Sequence, residues 1–78
     1  MRCVSLELPK HFSSSTELTL YVKKLLGIKK VKKRTIYRVG RGKHLKKVLV
    51  AEDVRVEIVY ETDSDGQVTV HSALVCRP

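Results

Sequence analysis

The chain has no tryptophan, one phenylalanine and three tyrosines, so large rings for filling a core or stacking on bases are scarce. Binders of single-stranded nucleic acid generally use several such rings. Only two cysteines occur, Cys3 and Cys76, near opposite ends of the 78 residues. That excludes a fold built on cysteine staples and offers no zinc-ligand spacing, so neither a metal nor another cofactor is expected. No uncharged run approaches the ~20 apolar residues that cross a bilayer, and the start lacks the charged, apolar and small-residue regions of a secretory signal. The expectation is a cytoplasmic protein with no membrane association. Acidic residues are missing altogether from Leu18 to Ala51.

What is present suffices for a single small domain over 1–78. Hydrophobic residues make up 42% and charged ones 31%, a globular balance. Folding a chain of this size removes roughly 60% of its surface from water, which leaves little room for a deep substrate cleft. Residues 2–8 alternate, with Val4, Leu6 and Leu8 against Cys3, Ser5 and Glu7, and predict a half-buried strand ended by Pro9. Ser14 and Glu17 fit a capping box, and Leu18, Tyr21, Val22, Leu25 and Leu26 form an apolar stripe. Gly27 is a left-handed terminator, so a helix is expected over 14–26.

Strands are expected over 33–39, 45–50, 54–61 and 67–76. Val54, Val56, Ile58 and Tyr60 would face inward on the third of these, and Val68, Val70, Ser72 and Leu74 on the fourth. The Asp63-Ser64-Asp65-Gly66 turn joins the last two as a hairpin. The order β-α-β-β-β-β predicts an α+β, two-layer fold, one helix on one face of a mostly antiparallel sheet of four to five strands. Arg34, Arg38, Arg55, Glu57, Thr69 and His71 are the candidates for the uncovered face. Tyr21 and Tyr60 are expected in the core, which leaves Tyr37 as the one stacking platform.

Charge is the most informative feature. Sixteen Lys and Arg oppose eight Asp and Glu, a net charge of +8, and twelve of those bases lie within the acid-free stretch 18–51. Residues 52–65 then hold six of the eight acids. Such segregation predicts a basic face that attracts polyanions and an acidic edge, unless the acidic strand lies beside the basic ones and pairs with them. The expected partner is the phosphate backbone of a nucleic acid, RNA ahead of DNA. The contacting residues would be Lys30, Lys32, Lys33, Arg34, Arg38, Arg41, Lys43, Lys46 and Lys47. Within this set Arg38-Val39-Gly40-Arg41-Gly42-Lys43-His44 is the sharpest segment: two glycines allow close backbone approach and successive N–H groups can cradle an oxyanion. An ordinary hairpin turn with solvated charges accounts for the same residues.

A metal-free ribonuclease needs a group to take the 2′-OH proton, another to protonate the leaving oxygen, and a cation for the phosphorane. His44 and His71, with Tyr37 as a further proton donor, are the candidates for catalysis. The alternating hairpin over 54–75, ending Val-His-Ser-Ala-Leu-Val, resembles the closing strands of small ribonuclease toxins of the RelE and colicin-nuclease kind. That resemblance implies the same two-layer outline and a metal-independent ribonuclease activity as the alternative to simple binding. A third alternative is a protein-interaction module, with an acidic protein on the basic face or head-to-tail homo-oligomers. Last, Cys3 lies on the strand face opposite Val4, Leu6 and Leu8, while Cys76 shares parity with Val68, Val70 and Leu74. Sulfurs on opposite sides of a sheet cannot bond, so two free thiols are expected unless a bulge near 73–75 flips Cys76.

Overall fold

In the computed structural model, which describes residues 2–40 and 42–78, one helix packs against an antiparallel sheet in the expected α+β, two-layer arrangement. The strands are β1 (Arg2–Ser5), β2 (His11–Phe12), β3 (Lys33–Arg38), β4 (His44–Val50), β5 (Arg55–Thr62) and β6 (Val68–Arg77), and the helix is α1 (Ser15–Leu26). Sheet order is β1-β6-β5-β4-β3, with the two-residue β2 also pairing β6. The strand expected over 2–8 is thus shorter, and the chain beyond Pro9 re-enters the sheet as β2. No helix among the described residues is long and apolar enough to cross a membrane.

The ends of α1 follow from its sequence. Ser14 caps the start by accepting a hydrogen bond on its hydroxyl from the Glu17 N–H at 3.1 Å. Gly27 closes the other end with φ 67°, a conformation other residues rarely adopt. Its N–H and that of Ile28 turn back to the carbonyls of Lys24 and Lys23. The buried stripe is narrower than the periodicity predicts. Leu18 and Val22 are fully buried, whereas Leu25 and Tyr21 remain exposed, Tyr21 resting edge-on against Phe12. Tyr21 is therefore not a core residue, while Tyr60 is.

Val56, Ile58 and Tyr60 of β5 face the helix as expected. In β6 the alternation breaks. Val59 pairs with Ser72 but Tyr60 pairs with Val70, so His71 is an extra residue, a β-bulge. Past it the inward set becomes Ala73 and Val75 rather than Ser72 and Leu74. Cys76 is thereby turned to the uncovered face, where Cys3 is its direct cross-strand partner, and the two are joined in a disulfide. The expectation of free thiols is overturned by this one-residue shift.

A covalent link across 73 residues constrains the unfolded chain strongly, by about 4 kcal/mol in the loop-entropy picture. Protein unfolded without reductant should show no titratable thiol and a mass two hydrogens below the reduced chain, and reduction should lower the melting temperature. Two reactive thiols in unreduced, unfolded protein would refute the pairing.

Candidate nucleic-acid interface and histidine cluster

The uncovered face is set by the ladder pairings. His44, Lys46 and Val48 of β4 lie opposite Glu61, Val59 and Glu57 of β5, and alternate with Leu45, Lys47 and Leu49 on the helix side. Tyr37 is paired with Lys46 and shares the uncovered face. Arg34 and Arg38 pair with Leu49 and Leu45, so they lie on the helix side of β3, not on the open face. Arg55, Glu57, Thr69 and His71 are on the open face as expected.

Strand β3 has a free edge, and all six of its residues are exposed. Around it gather Lys29, Lys30, Lys32, Lys33, Arg34, Arg38 and Lys43, each exposed and none in an ion pair among the described residues. These bases wrap the edge rather than covering one face. Arg41, the middle of the expected oxyanion cradle, lies outside the described residues. Beside it, Gly40 and Gly42 have φ of 67° and 104°, and the Val39 N–H donates to the His44 carbonyl at 3.1 Å.

Two of the expected phosphate contacts are occupied otherwise. Lys46 pairs with Glu57, which also takes Arg55 at 3.2 Å. The acidic strand therefore does lie beside a basic one and neutralises part of it. The hydrogen bond to Lys46, with the charges of Lys46 and Arg55, holds the Glu57 carboxyl below its usual range, and Glu57 raises Lys46 in return. Lys47 is 1% exposed beneath α1. Its ammonium donates to the Ser15 carbonyl at 3.1 Å, the Ser15 hydroxyl at 2.6 Å and the Thr19 hydroxyl at 2.7 Å, and sits 5.6 Å from the Tyr60 ring centroid. All three N–H groups are satisfied, yet no carboxylate is among these partners.

The second feature is a row of polar side chains across one end of the open face. His11, Thr69, Glu61 and His44 are successive cross-strand partners on β2, β6, β5 and β4. His71, two residues past Thr69 on β6, stands beside them. His71 Nε2 donates to Glu61 Oε1 at 2.6 Å, and His44 Nε2 is 3.6 Å from the same oxygen. The rings of His44 and His71 meet edge to face at 4.6 Å between centroids. Thr69 Oγ1 lies 3.4 Å from His11 Nδ1. All three histidines of the chain thus collect on one face, though they are some thirty residues apart in sequence. Tyr37 lies one strand farther out, with Lys46 Nζ 6.0 Å from its ring centroid.

Glu61 and His11 were not among the expected site residues. For Glu61 the signal was its parity with Glu57 on an alternating strand. His11 sat in a segment with no readable period. A cleft of about 400 Å³ lies at the other end of β4, between the 27–32 segment and the 51–54 turn. No protein-family model, curated protein or solved structure matches the chain.

Burial, with Arg34 adding repulsion, pushes the Lys47 ammonium down to about 8. The unfolded chain then holds its proton more tightly, so the charged lysine destabilises the fold below pH 8 and the cost is relieved as pH rises toward 10.5. That amounts to about 3 kcal/mol between those limits. Urea melts of wild type and Lys47→Met from pH 7 to 10.5 should show wild type gaining stability relative to the variant. Parallel pH dependences would contradict the assignment.

Proposed function

We propose that the protein binds nucleic acid, RNA ahead of DNA, by laying the phosphate backbone along the β3 edge. The observation that carries this reading is the set of seven exposed, unneutralised bases at Lys29, Lys30, Lys32, Lys33, Arg34, Arg38 and Lys43 around one free strand edge. Phosphates need only charge and reach, which flexible lysines and forked arginines supply. Tyr37, 43% exposed on the same strand, offers one ring to an unpaired base, a contact single-stranded RNA allows and a duplex does not. Affinity then rests on phosphates and shape, with little sequence readout.

A specific observation favours a second reading on the adjoining open face: metal-independent RNA cleavage, motivated by the convergence of His44 and His71 on Glu61. Here His71, oriented by the Glu61 carboxylate, takes the proton from the ribose 2′-OH as its oxygen attacks phosphorus. His44 gives a proton to the departing 5′-oxygen, and the products are a 2′,3′-cyclic phosphate and a free 5′-hydroxyl. Lys43, just before His44, would stabilise the phosphorane charge. Tyr37 stays a contact residue in this scheme rather than a proton donor.

Binding to an RNA hairpin measured across salt should give a log–log slope near −4 if about five phosphates are neutralised. Replacing Lys33, Arg34 and Arg38 together by Ala should weaken binding and flatten the slope by about 2. No binding at ~50 mM salt, or a slope untouched by the triple replacement, would refute the edge reading. For the second reading, RNA incubated with the protein and EDTA should be cut to cyclic-phosphate ends, at least ~100-fold more slowly in His44→Ala and in His71→Ala. Intact RNA at high protein concentration would remove it.

A further inference from the structure

The His44–Glu61–His71 cluster also has the composition and spacing of a metal centre, and we propose that it binds one zinc ion or a cation of similar preference. The argument is geometric and chemical. Each of the three residues offers one ligand atom, and the three atoms lie within 4.8 Å of one another. Ligands held tetrahedrally at about 2.1 Å from zinc are about 3.4 Å apart. The His44 Nε2 to Glu61 Oε1 separation is 3.6 Å, already at that value. The His71 Nε2 to Glu61 Oε1 hydrogen bond at 2.6 Å must open by somewhat less than 1 Å as the cation displaces the shared proton. Small rotations of exposed side chains supply that movement, because all three are more than one-third solvent-accessible.

Two imidazoles and one carboxylate suit Zn²⁺, Cu²⁺ or Ni²⁺, while the all-oxygen preference of Ca²⁺ and Mg²⁺ argues against those ions. The ligands come from β4, β5 and β6, three adjacent strands of one sheet, so the backbone is a rigid platform. His71 lies two residues beyond Thr69, the cross-strand partner of Glu61, so strand alternation sets it on the same face. Three protein ligands leave the fourth position open to solvent, where water or a phosphate oxygen would complete the shell. His11, farther along the same row and bonded through Nδ1 to Thr69, is not a ligand in this arrangement. The two cysteines are bonded to each other and offer no competing thiolate.

The site stands on geometry independently of the nucleic-acid reading, and its test uses no RNA. Zinc chloride titrated calorimetrically into unreduced protein should bind at one equivalent and raise the melting temperature. His44→Ala, His71→Ala and the near-isosteric Glu61→Gln should each weaken that binding at least ~10-fold, and His11→Ala should leave it unchanged. Circular dichroism of these surface variants reports whether each is folded before titration. Absence of saturable binding to wild type would overturn the proposal, as would equal binding in folded His44→Ala and His71→Ala.

Discussion

One extra residue in β6 governs much of what this molecule can do. Strand side chains alternate strictly, so a single unpaired residue exchanges the two faces for everything beyond it. At His71 that exchange sends Ala73 and Val75 into the core and turns Cys76 outward onto Cys3. His71 itself, two residues past Thr69, keeps the open face with Glu61, which His44 faces across the ladder. Core composition and covalent closure of the chain therefore share one local cause. The same residues paired without a bulge would bring Ser72, Leu74 and Cys76 to the helix side and part Cys76 from Cys3.

The +8 charge is distributed with similar economy. A free sheet edge invites pairing with other chains, and lysines or arginines around it discourage that by repulsion. The β3 edge is guarded in this way, and under the proposed function the same charges recruit polyanions. Two of the opposing acids sit where strands touch: Glu57 holds Lys46 and Arg55, and Glu61 engages the histidines. Lys47 is the exception on the basic strand. It trades solvation for three neutral oxygen partners at the first turns of α1, tying helix to sheet at a site where an apolar side chain would pack without the desolvation cost.

Much of the fold was legible in the residues. The cap at Ser14, the stop at Gly27 and the alternation over 54–61 are local signals, and local physics sets them. The parity of β6 was not legible, because Val-Thr-Val-His-Ser-Ala-Leu-Val-Cys admits a continuous alternation and the bulge is decided by pairing with β5 and β1. The facing of β3 was equally hidden: Arg34, Ile36 and Arg38 alternate with Lys33, Thr35 and Tyr37, and neither set is apolar enough to declare a core side. Of the candidate site residues, His44 and His71 were named from their chemistry alone. Their meeting depends on the β4–β5–β6 ladder, which sequence spacing does not encode. Lys46 and Lys47 look alike in sequence and have opposite fates, since adjacent strand residues face opposite sides.

The proposed function rests on nucleic acid engaging the basic β3 edge and the adjoining open face. Amide chemical-shift mapping of ¹⁵N-labelled protein, titrated with a short single-stranded RNA at low salt, tests it most directly. The shifts should concentrate in residues 29–38 and 43–46, with the β1 edge undisturbed. Shifts centred on β1 and the acidic 52–65 segment, or none at saturating RNA, would contradict it.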